Sequence, residues 1–135
     1  MPNLNKILNE MVFSVTWQQV ETKAKAIIES HNNLDEKEIV MTEEPSGLQL
    51  IEDLLNYSKT IDDIMLLYIK NMAYWYLLLD LSIKDEIYED SGLIRDVIKI
   101  FIEDTTRILI NKGATNKELA NIFRVNEDFK KIFAI

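Results

Sequence analysis

The run Gly113-Ala114-Thr115-Asn116-Lys117-Glu118-Leu119-Ala120-Asn121-Ile122-Phe123-Arg124-Val125-Asn126-Glu127-Asp128-Phe129 carries two helix-start signals around a short turn. Thr115 and Glu118 stand three positions apart, the spacing at which a hydroxyl and a carboxylate satisfy each other's backbone N–H. They predict a short helix ending near Phe123, and Asn126 then caps a last helix from Glu127 to about Ala134. Gly113 lies just beyond the end of the preceding helix, where a left-handed backbone is often needed. The apolar residues are spaced for packing rather than for chemistry.

Upstream, Ser91 can cap a helix whose Ile94, Val97, Ile98, Phe101, Thr105, Ile108 and Leu109 form one continuous stripe. Ile83 to Asp90 reads as an acidic connector. Before it, Thr60 with Asp63 starts a long helix running to about Leu81, apolar nearly all round, which makes it the central helix of the core. That apolar stretch is interrupted by Asp62, Asp63, Lys70 and Asp80, so a buried helix is expected rather than a membrane span.

The N-terminal half is less regular. Ser46 with Gln49 forms a capping box ahead of Leu48, Ile51, Leu54 and Leu55 at helical spacing, and Glu38 to Thr42 reads as one short strand. Thr16 with Gln19 is a further box, predicting helix to about Ser30 with Ala24, Ile27 and Ile28 inward. The opening fits either two short strands joined by a turn at Asn9-Glu10-Met11, the second running through Val12 to Thr16, or one amphipathic helix over residues 3–13.

At 135 residues the chain is one domain's worth of sequence, and it contains no cysteine. Disulfides, thiolate catalysis and zinc–thiolate sites are thereby excluded. No leader pattern is read at the N-terminus, and a cytoplasmic location is expected, with the nucleus also open. The net charge of -8 is uneven: residues 1–90 hold 17 acids and 7 bases, and residues 91–135 hold 6 acids and 8 bases. An acidic body disfavours a phosphate backbone.

Nothing in the pattern points to an enzyme. The acidic pairs Asp62-Asp63, Asp85-Glu86, Glu89-Asp90 and Glu103-Asp104 lack calcium-loop spacing, and adjacent acids on a helix diverge. His31 is the only histidine and stands in a polar turn, so no metal site and no triad is expected. The three glycines lie at element ends, without a phosphate loop, and no cofactor is expected. A helix-turn-helix reading of residues 118–131 fails on charge, because the second helix would open with Glu127-Asp128 against phosphate.

The C-terminal pattern, G-x-T-x-x-E-L-x-x-x-F-x-V-x-x-D-F, resembles the end of the S-phase kinase-associated adaptor family. These are the BTB/POZ-type subunits that link F-box proteins to a cullin in SCF ubiquitin ligases. The matching residues are Gly113, Thr115, Glu118, Leu119, Phe123, Val125, Asp128 and Phe129. The match is specific there and only pattern-level elsewhere. Asn9-Glu10-Met11 replaces the family's Ser-Asp-Gly-type turn, and Ile135 follows Phe129 closely where the family has one more helix.

The resemblance implies an α+β, predominantly helical fold: a BTB/POZ-like unit over residues 1–90 with short N-terminal strands, then a C-terminal helical extension over 91–135. An all-α helical bundle is the alternative. It further implies a non-catalytic adaptor with an F-box-type protein and a cullin as partners; the acidic charge and the interrupted apolar stretch point to neither nucleic acid nor membrane. Phe101, Thr105, Ile108, Leu119, Ile122, Phe123, Phe129, Ile132 and Phe133 are the candidates for the F-box-type groove and for the core beneath it. Ser46, Tyr74, Trp75 and Tyr76 would face the cullin. Three successive aromatics cannot share one side of a helix, so at least one of them should approach the surface. The rival reading is an acidic, all-helical inhibitor or immunity-type protein, steered to a basic target by the charge of its first 90 residues.

Overall fold

The computed structural model describes residues 15–30 and 60–135. Among the described residues the protein is predominantly helical, with α1 (Trp17–Ser30), α2 (Ile61–Lys84), α3 (Tyr88–Asn111) and α4 (Asn116–Phe133) and no strand. This fits the all-helical alternative. The strand expected around Leu4 to Leu8, all but the last two residues of the one expected at Val12 to Thr16, the strand at 38–42 and the helix capped by Ser46 lie outside the described residues. Val15 and Thr16 are non-helical and lead into α1.

Each expected capping residue ahead of α1, α2 and α4 acts as the sequence predicts. The Gln19 N–H donates to Thr16 Oγ1 at 3.2 Å, and the Thr16 N–H donates to Gln19 Oε1 at 2.9 Å. At α2, Thr60 Oγ1 accepts from the Asp63 N–H at 3.1 Å. At α4, the Thr115–Glu118 box closes in both directions, at 3.2 and 2.9 Å. Thr115→Ala removes one acceptor from an otherwise orphaned N–H and is expected to cost about 1 kcal/mol in urea unfolding. Thr115→Ser should restore most of it.

Helix α2 is the hub, packing against α1, α3 and α4, and α4 also touches α1 and α3. Fifteen of its residues are buried, on every side of the helix. By length and composition alone it could cross a membrane, but 78% of its most apolar window is covered by the rest of the protein. From α1 the core takes Val20, Ala24 and Ile27, and from α3 it takes Ile94, Val97, Ile98, Phe101 and Leu109. Contacts between Ser82 and Ser91, and between Trp75 and Phe101, set α2 and α3 antiparallel.

Three helix ends close with the same pair of backbone bonds. After α2, the Ile87 N–H reaches Ser82 O at 2.8 Å and the Glu86 N–H reaches Ile83 O at 3.1 Å. Ala114 and Gly113 repeat the pattern on Leu109 and Ile110, and Ile135 and Ala134 repeat it on Lys130 and Lys131. The pivot residue has positive φ each time: Glu86 at 57°, Gly113 at 82° and Ala134 at 53°. Only the middle one carries the glycine that announces such an end in sequence.

Two expected boundaries are corrected. The acidic connector is shorter than Ile83 to Asp90, because α3 begins at Tyr88 and Ser91 lies inside it. Glu89 and Asp90 suit the positive end of the helix dipole. The Ser91 hydroxyl is buried and pairs with Ser82 Oγ at 2.7 Å instead of capping. The division drawn after residue 90 thus falls within the first turn of α3.

The second correction concerns α4, which runs unbroken through Arg124 and Val125. No glycine or proline interrupts residues 116–133. Asn126 is not a cap but a buried residue whose side-chain oxygen accepts the Tyr76 hydroxyl. A phenol brought into the core needs such a partner, and a single long helix supplies it. The helix-turn-helix reading falls with the turn.

Candidate functional site

Along α3, residues four apart form adjoining rows, since helix neighbours recur at that interval. One row is Ile98, Ile102, Thr106 and Ile110; the next is Arg95, Lys99, Glu103 and Arg107. The first row forms one wall of an open groove between α3 and α4, and the second forms its edge. Phe123, Asn126 and Lys130 of α4 supply the opposite wall. Tyr76 and Leu79 of α2 form the floor, and Ile135 closes one end. The groove holds about 850 Å³.

Three of its apolar side chains are open to solvent: Phe123 is 57% exposed, Ile110 56% and Ile135 38%. Scattered exposed apolar residues are ordinary, whereas a continuous concave set is what partner-binding surfaces show. The edge is cationic on a protein of net charge -8, and it uses two of the chain's three arginines. Arg107 pairs with Asp104 at 3.0 Å and Lys130 with Glu127 at 3.4 Å, both exposed. Such surface pairs are weak and easily exchanged. Arg95 and Lys99 have no ion-pair partner among the described residues.

The sequence-predicted residues divide between this groove and the core. Phe123 lines the groove. Phe101, Thr105, Ile122 and Phe129 are buried, and therefore belong to the core beneath. Ile108, Leu119 and Phe133 are half-buried against that core. Ile132 is exposed but does not line the groove. Of the residues assigned to a cullin-type face, Ser46 lies outside the described residues. Trp75 has no exposed surface and cannot touch a partner, because α2 carries it under Phe101. Tyr76 turns instead toward the groove floor. Tyr74 is the one member of the trio that is partly exposed, as the divergence of adjacent helical residues allows, and it packs against the edge of the core.

Sequence periodicity does not announce the cationic edge: Arg95, Lys99 and Arg107 stand at helical spacing, but the acids Asp96, Glu103 and Asp104 are interspersed among them.

Beneath the groove lies an aromatic and polar joint. The Tyr76 ring lies nearly parallel to Phe129, 5.7 Å between centroids, and to Phe133, 6.3 Å away. Lys23 of α1 sits 5.3 Å from the Phe133 ring centre, a cation–π distance. The Tyr68 hydroxyl donates to Ile122 O at 3.2 Å, so both buried phenols of α2 tie to α4.

Burial pushes the Tyr76 phenol up to about 12, with the Glu127 carboxylate adding to the effect. Burial also raises Tyr68, and its neighbour Tyr76 contributes. Each folded phenol therefore holds its proton more tightly than the unfolded chain does. Their contribution to stability is whole below about pH 10, the ordinary tyrosine value, and declines as pH rises toward the folded values. Urea midpoints measured from pH 8 to 12 should fall above pH 10, and Tyr76→Phe should flatten the decline.

No group of three or more metal-ligating side chains occurs among the described residues. What the arrangement can do is hold an apolar segment between two charged edges. No family model matches the sequence, no curated protein matches it, and no solved structure matches its fold.

Proposed function

We propose that the protein is a non-catalytic docking module whose α3–α4 groove receives the apolar side of a partner polypeptide. The single observation behind this reading is the open groove itself, with Phe123 and Ile110 more than half exposed above a well-packed core. Grooves of this kind accept an amphipathic helix through residues spaced along one face. The sequence resemblance gives the reading a specific form: an adaptor that joins an F-box-type receptor at the groove to a cullin scaffold. Phe123, common to the resemblance and to the groove, connects the two.

Co-purification with an F-box segment and with the N-terminal repeat of a cullin tests the specific form. Phe123→Asp places a charge on the groove wall at an exposed position, so it should abolish F-box capture while leaving the thermal unfolding of the protein unchanged. Binding to neither partner removes the ubiquitin-ligase assignment.

The acidic-inhibitor reading draws support from a different observation, the charge of residues 1–90. It predicts binding that weakens sharply with salt and is indifferent to Phe123→Asp.

A further inference from the structure

We infer that the occupant of the α3–α4 groove is an acidic amphipathic helix, its apolar side chains on Ile102, Ile110 and Phe123 and its carboxylates against Arg95, Lys99 and Lys130. The inference rests on the docking reading above and adds the partner's chemistry. Dimension comes first. From Arg95 to Ile110 α3 rises ~22 Å, which matches a guest helix of roughly 15 residues. A helix of that length presents four or five anchors at three- and four-residue intervals, enough to cover the apolar row.

Charge selects among occupants. Arg95 and Lys99 stand on the α3 edge without ion-pair partners among the described residues, and Lys130 faces them from α4. Glu103, Asp104 and Glu127 dilute the field, but Asp104 and Glu127 are already engaged with Arg107 and Lys130. Arg95 and Lys99 gain most from a partner that brings acids to the α3 edge, and Lys130 can exchange its weak exposed pair for a further one. A guest with basic flanks would place like charges together at Arg95 and Lys99.

The length of the apolar row favours a polypeptide over a lipid. Arg95 and Lys99 lie ~6 Å apart along α3, but the row continues ~16 Å beyond Lys99 to Ile110, further than a headgroup held by those two cations reaches. The groove is open along its length, so an acyl chain would remain partly in water. A second copy docking groove to groove would bring few acids to these cations, since Glu103 is the one carboxylate side chain in the lining.

The test is selection against the full chain from a phage-displayed helical library, with apolar residues fixed at i, i+3, i+4 and i+7 and all other positions varied. Recovered peptides should be enriched in Asp and Glu at the positions flanking the apolar stripe. A synthetic recovered peptide should bind the Arg95→Glu/Lys99→Glu variant at least about tenfold more weakly, the scale of two lost rim contacts reversed to repulsion. Its counterpart with those acids changed to Lys should recover binding to that variant. Circular dichroism melts check that the Arg95→Glu/Lys99→Glu and Phe123→Asp variants fold.

If the recovered peptides are neutral or basic yet lose binding in Phe123→Asp, the acidic specificity is overturned and the docking reading stands. If no recovered peptide responds to Phe123→Asp, both are overturned. If sodium palmitate or phosphatidylglycerol vesicles bind the wild type in the groove and no peptide does, the site is a lipid site.

Discussion

Trp75→Ala is expected to lower the unfolding free energy by ~3–5 kcal/mol, the usual range for deleting a fully buried large aromatic. Trp75 has no exposed surface and stands where α2 meets α3. Its ring meets Tyr74 edge-on at 5.2 Å and lies 6.0 Å from Phe101, tilted by 37°. The indole N–H has no hydrogen-bond partner among the described residues, so the loss is packing alone. Trp75→Phe should therefore cost much less, because it keeps most of the ring and removes an unsatisfied donor. Urea unfolding followed by far-UV circular dichroism reads both. Equal losses in the two variants would mean that the indole makes a contact that benzyl cannot replace.

Phe129→Ala and Phe123→Ala separate the two sides of α4. Phe129 is sealed, lies nearly parallel to Tyr76, and caps the joint formed by the two buried phenols. Its truncation should cost ~3–5 kcal/mol. Phe123, six residues earlier, faces the groove and is 57% exposed. Its truncation should fall within ~0.5 kcal/mol of the wild type, as surface changes do. The contrast matters because sequence periodicity treats both as packing residues. A large loss at Phe123 would mean that the groove wall belongs to the core.

Much of the helical framework is legible in the sequence. Paired side chains three apart announce the starts of α1, α2 and α4, since the capping chemistry is local and needs no tertiary context. The all-round apolar character of residues 61–83 likewise identifies the hub. What is not legible depends on distant partners. Asn126 has the composition of a cap, and only the Tyr76 hydroxyl makes it an interior residue. Ser91 is drawn inside by Ser82. The turns at Glu86 and Ala134 adopt the backbone of a glycine without containing one, so their positions carry no local mark.

The site was legible only in part for a related reason. Periodicity places Phe101, Thr105, Ile122 and Phe129 on the apolar faces of α3 and α4. It does not reveal how far the two helices separate, and that separation decides which apolar residues meet water. Phe123, Ile102 and Ile110 lie where the helices part, whereas Ile122 and Phe129 lie where α4 meets α2. The cationic edge is likewise a tertiary feature, because Lys130 joins Arg95 and Lys99 only when α4 folds back against α3.

The central claim is that this groove, and not the acidic remainder of the surface, holds a partner helix. Titrating a selected acidic peptide into the ¹⁵N-labelled full chain and following the amide shifts tests it most directly. The account predicts that the largest changes fall at Ile98, Ile102, Ile110, Phe123 and Lys130, with α1 unmoved. Changes confined to α1 and the first turn of α2, with the groove amides unmoved, would contradict it.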